Sequence, residues 1–74
     1  MKNIKFSSVN PNDECDLIFI DNEKNKYHIF SDERGRSIQN IDKDFWDKFF
    51  FCKSIKVEYQ GDEKRIVTRI ISYK

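Results

Sequence analysis

Seventy-four residues bound the chain to one domain, 1–74, near the lower size limit for folding without a disulfide or metal staple. Charged residues make up 36% of it, but 14 Lys and Arg against 13 Asp and Glu leave a net charge of +1, which argues against a general polyanion binder. The 15% aromatic content argues against disorder, and the longest apolar runs, LIFI and FFFC, are too short for a signal peptide or a membrane span.

Ile4, Phe6 and Ser8 alternate with Lys5, Ser7 and Val9, a period of two that predicts a first strand over residues 3–9. Asn10, Pro11, Asn12 and Asp13 stop it, because proline lacks an N–H donor and Asn and Asp side chains bond to nearby backbone in turns. CDLIFID predicts a second strand over residues 15–21 and KYHIF a third over 26–30, with the polar link NEKN suited to a hairpin. SDERGRS, residues 31–37, is the most loop-like central segment, and Gly35 is free to take a positive φ there. A helix is predicted to start near Asp42, whose carboxylate caps its N–H groups while Asp44 complements the dipole, and to end near Cys52 or Lys53. SIKVEY then alternates over residues 54–59, QGDE turns the chain at Gly61, and KRIVTRIISY returns as a long last strand over 64–73.

Three strands, one helix and two strands define an α+β domain. The short strand links predict a largely antiparallel five-stranded sheet with an aromatic-rich helix across one face, or a small half-closed barrel. In the second strand Leu17 and Phe19 oppose Ile18 and Ile20; in the last, Ile66 and Ile70 oppose Val67, Ile71 and Tyr73. Both strands are thus apolar on two faces, which a sheet with one wet side does not require. A barrel, a bulge or a second chain has to account for the extra face.

DFWDKFFFC, residues 44–52, holds five of the chain's eleven aromatic side chains (seven Phe, three Tyr and one Trp in all). At about 100° per residue, Cys52, Phe45, Phe49, Trp46 and Phe50 fall on one arc of about 160° that packs on the sheet. Ile41 extends the arc if the helix starts a turn earlier. Phe51 projects from the polar side, between Asp47 and Asp44. Either a neighbouring loop folds over it, or Phe51 with the rim of Trp46 or Phe50 forms a partner-facing patch.

His28 with Cys15 or Cys52 is the one conceivable nucleophile–base pair, and no orienting motif accompanies it. Neither cysteine has a ligand at zinc spacing, and Gly35 and Gly61 make no phosphate-binding loop. Two cysteines and no leader predict a cytoplasmic protein with both thiols reduced, a Cys15–Cys52 bridge being the alternative. The Met1 start and the abundance of Lys, Asn and Ile lead to the expectation of a complete bacterial or phage product.

Lys56, Lys64, Arg65 and Arg69 make the C-terminal hairpin modestly basic, offset by Glu58, Asp62 and Glu63. A basic ribbon can follow a nucleic-acid backbone with Tyr59 or Tyr73 stacking on bases, but charges facing solvent along a strand have the same pattern. Arg34 and Arg36 form a smaller basic spot, diluted by Asp32 and Glu33. The expectation is therefore a non-enzymatic protein-binding module of inhibitor or adaptor type, needing no cofactor or metal. Its partner is another protein or a second copy of itself, and its contact residues are Phe51, Trp46 and Phe50. The alternative is a nucleic-acid-binding module using Lys56, Lys64, Arg65 and Arg69; no membrane contact is expected.

Overall fold

Strands with apolar side chains on two faces can bury one of them by closing the sheet on itself. The computed structural model, which describes residues 1–37 and 41–74, shows such a closed barrel. Among the described residues its strands are β1 (Lys2–Asn10), β2 (Asp13–Ile20), β3 (Lys26–Phe30), β4 (Ile55–Gln60) and β5 (Arg65–Tyr73), in the order β1-β2-β3-β5-β4. A 3-10 turn, Glu33–Ser37, follows β3, and one short α-helix, α1 (Lys43–Lys48), precedes β4.

The sheet is mixed, which corrects the largely antiparallel expectation. β3 and β5 run parallel, with Tyr27 opposite Arg65 and His28 opposite Ile66, while the other neighbours are antiparallel. The reason is parity, since strand direction cannot alternate all the way round a closed ring of five. The long link after β3 lets β4 pair with β1 instead of β3. β5 then returns antiparallel to β4 and fills the remaining gap, in the same direction as β3.

Alternation supplies most of the interior: Ile4, Leu17, Phe19, Tyr27, Ile29, Ile55 and Val57 are all buried in one cluster. β5 needs a further device, because strict alternation places Val67 and Ile70 on opposite faces. Thr68 is an extra residue between the pairs Tyr59–Val67 and Glu58–Arg69, and Ile71 another between Val57–Ile70 and Lys56–Ser72. The Thr68 bulge resets the pleat so that Val67 and Ile70 both join the core, and the Ile71 bulge does the same for Tyr73, which packs against it. Ile18, Ile20 and Ile66 are left half-buried on the outer wall.

α1 begins where its cap predicts. The Asp42 side chain accepts from the Phe45 N–H at 2.9 Å and also from the Tyr73 hydroxyl at 3.0 Å, tying the helix start to the end of β5. The helix is shorter than predicted, stopping at Lys48. Beyond it the Phe51 N–H bonds to the Lys48 carbonyl and the Cys52 N–H to the Phe49 carbonyl, the three-residue spacing of a tighter 3-10 turn. Gly35 does not use the positive φ expected of it; a Cβ there would overlap the Phe30 carbonyl oxygen, so close approach is what demands glycine. Gly61 does turn the chain with φ +97°.

Two hydrogen-bonded groups, the buried Asp21 and the half-buried Tyr73, give the fold a defined pH window. Asp21, after β2, accepts from the Glu23 and Asn25 N–H groups, the Asn25 side chain and, at 2.8 Å, the Tyr27 hydroxyl. Burial alone raises its carboxyl, but those donors outweigh it and hold the group well below the usual carboxylate range. Burial, helped by the hydrogen bond to Asp42, pushes the Tyr73 phenol up to about 12. A depressed carboxyl stabilises the fold above its unfolded value of 3.8, and that contribution is lost as pH falls through the folded value. A raised phenol stabilises below its unfolded value of 10.0 and stops doing so as pH rises through about 12. Denaturation midpoints are therefore expected to be flat from about pH 5 to 8 and to fall on both sides. Asp21→Asn should flatten the acid limb and Tyr73→Phe should shrink the alkaline one; unchanged limbs in these variants refute the assignments.

Candidate functional site

The tight turn that ends α1 decides which aromatic rings meet solvent. Phe45 is 0% exposed, and Trp46 and Phe49 are half-buried against the core. Phe51 is 74% exposed, in keeping with its place on the polar side, and Phe50 is 51% exposed. Phe50 stood at the edge of the predicted packing arc. Winding three residues per turn past Lys48 advances each residue roughly 20° further than an α-helix does, which carries that ring out of the arc.

The Phe50 and Phe51 rings lie 4.2 Å apart between centroids, tilted by 42°, so together they form one exposed apolar surface. Phe50 also rests edge-on against Phe49 at 5.3 Å, which ties the surface to the core. Trp46 packs on Phe45 at 5.4 Å and belongs to the support beneath this surface. Phe51 borders a groove of about 260 Å³ that Lys48, Cys52, Tyr73 and Lys74 complete. Lys48 sits 3.3 Å from Asp44, and the Cys52 thiol donates to the Lys48 carbonyl at 3.3 Å. The Lys53 N–H bonds to the Lys74 carbonyl at 2.8 Å, which brings a third lysine to this end of the barrel. The side chains of Lys53 and Lys74 have no acidic partner among the described residues.

The four basic residues of the C-terminal hairpin have different immediate neighbours. Arg69 is paired with Glu58 at 3.2 Å on the β4–β5 wall, where Lys56 lies opposite Ser72. Lys64 reaches the Phe30 ring at 5.7 Å, and Arg65 lies over the Tyr27 ring at the same distance. Arg34 covers the Phe30 ring at 4.2 Å and pairs with Asp13 at 2.8 Å and Asp32 at 2.7 Å. The Arg36 side chain, the other half of that basic spot, lies outside the described residues.

His28 pairs with neither cysteine; Cys15 and Cys52 are both free thiols. Its partner is Asp16, 1% exposed, at 2.7 Å from Nδ1. A carboxylate only accepts, so Nδ1 carries the hydrogen, and the Asn10 side chain donates to the other Asp16 oxygen at 3.1 Å. The strands account for the meeting: Asp16 lies opposite Phe30 and Ile18 opposite His28 in the β2–β3 register, on the outer wall. Sequence reasoning missed this pair, and the available signal was that Asp16, Ile18 and Ile20 share a strand face across from His28.

No helix among the described residues is long and apolar enough to cross a membrane. The chain matches no protein-family model, no curated protein and no solved structure.

Proposed function

We propose that the chain is a small, non-enzymatic protein-binding module that works by occupying a surface of its partner, with Phe51 and Phe50 as its anchors. The observation that carries this reading is the exposed Phe50–Phe51 pair at the mouth of a groove, two rings left in water beside a fully buried Phe45 and a half-buried Phe49. Aromatic side chains contribute disproportionately to protein interfaces, and a cluster held by a rigid support loses little entropy on binding. The occupant is a different protein with an acidic surface around an apolar anchor. Lys48 and Lys74 line the groove beside Phe51, and a two-fold contact with a second copy brings those like charges together.

The test compares wild type with Phe51→Asp and Phe50→Ser, each first shown to keep the wild-type circular dichroism spectrum and melting temperature. Immobilised wild-type protein is expected to capture a partner from a native-host lysate that the variants fail to retain, with the chain itself monomeric by light scattering. Retention of the same proteins by Phe51→Asp, or a dimer that this substitution dissolves, overturns the reading.

A further inference from the structure

We propose that a cleft beside β1 binds a small polar molecule bearing an anionic group, phosphate or carboxylate. β1 changes partner in mid-course: Ile4 is the last residue paired with β4, opposite Ile55, and Lys5 the first paired with β2, opposite Ile20. The chain leaves β2 through Asp21 and Asn22 and enters β4 through Lys53 and Ser54, so these segments diverge from adjacent points on β1. The gap between them is a cleft of about 380 Å³, within the range of small-molecule sites.

Its chemistry is divided. The half-buried Ile20 gives it a small apolar edge, while Lys5 and Lys53 contribute two ammonium groups from separate segments. Neither lysine has an acidic partner among the described residues. Asn3, Asn22 and Ser54 add neutral polar groups, of which the Ser54 hydroxyl is 3.4 Å from the Asn3 amide oxygen. Asp21 also borders the cleft, but its oxygens are taken up by Asn25, Tyr27 and the Glu23 N–H, leaving them poorly placed to compete for the lysines. Two cations without an acidic partner among the described residues, set among neutral polar groups, fit a ligand with an anionic head, which charge-assisted hydrogen bonds hold.

The cleft shares no lining residue with the groove beside Phe51. It is tested on the full chain by amide-resolved NMR titration with phenyl phosphate and benzoate, which distinguish the two anionic heads, and with uncharged benzyl alcohol. At least one anion is expected to shift the amides of Asn3, Lys5, Asn22, Lys53 and Ser54 saturably, more strongly than benzyl alcohol does. Lys5→Gln with Lys53→Gln, exposed positions outside the core, is expected to weaken that binding about tenfold or more. The proposal fails if neither anion gives saturable shifts there, if the double variant binds equally well, or if the shifts spread over the chain's other lysines.

Discussion

Phe45→Ala is expected to lower the melting temperature by roughly 15–30 °C, whereas Phe51→Ala, six positions on, leaves it within a few degrees. Phe45 is fully buried at the first turn of α1, and its ring meets those of Trp46 at 5.4 Å, Tyr73 at 5.5 Å and Phe49 at 5.9 Å. Truncating a buried phenylalanine costs about 3–5 kcal/mol, from lost transfer energy and the cavity left behind. A domain of this size has roughly 4–11 kcal/mol of stability in total, so the variant stands close to the unfolding threshold. Phe51 makes no comparable core contact, and exposed substitutions usually change stability by less than about 0.5 kcal/mol. Thermal melts followed by circular dichroism check both values. A small shift for Phe45→Ala refutes its place in the core, and a large one for Phe51→Ala shows that its ring is structural.

That contrast between two phenylalanines was visible in the sequence for a specific reason: the helical period separates Phe45 from Phe51 by about 120° around the axis. Phe50 was misplaced because the period itself changes after Lys48, and the Phe51–Lys48 and Cys52–Phe49 bonds that tighten the turn leave no mark in composition. Strand alternation located all five strands to within about two residues at each end, the ordinary uncertainty of such boundaries. It could not supply their order. The parallel β3–β5 pair follows from closing an odd ring, a property of the whole barrel that no single segment encodes. The bulges at Thr68 and Ile71 were equally hidden, although the two-faced apolar pattern of the last strand had required some device of the kind. Long-range polar pairs were the least legible features. Asp42 was recognised as a cap from its local sequence, but its second partner, Tyr73, comes from the far end of the chain.

His28 and Asp16 offer the clearest way to test such a pair. His28→Leu is expected to destabilise the fold by about 3 kcal/mol or more, because it strands a buried carboxylate with only the Asn10 amide as a side-chain donor. Asp16→Leu leaves the His28 Nδ1–H, half-buried on the wall, without its acceptor, and is expected to cost less, about 1–3 kcal/mol. The double variant should be more stable than His28→Leu alone, since two apolar side chains beside Ile18 and Phe30 leave no stranded polar group. Urea denaturation of the four proteins closes the cycle and isolates the coupling between the two side chains. If the two single losses simply add, the 2.7 Å contact contributes no coupling and His28 acts through its stacking on Phe30, 6.4 Å away and inclined by only 19°. If the double variant recovers stability, the wall keeps an ionisable pair where hydrophobic side chains would serve the fold at least as well. Stability alone would then not account for their presence on that face.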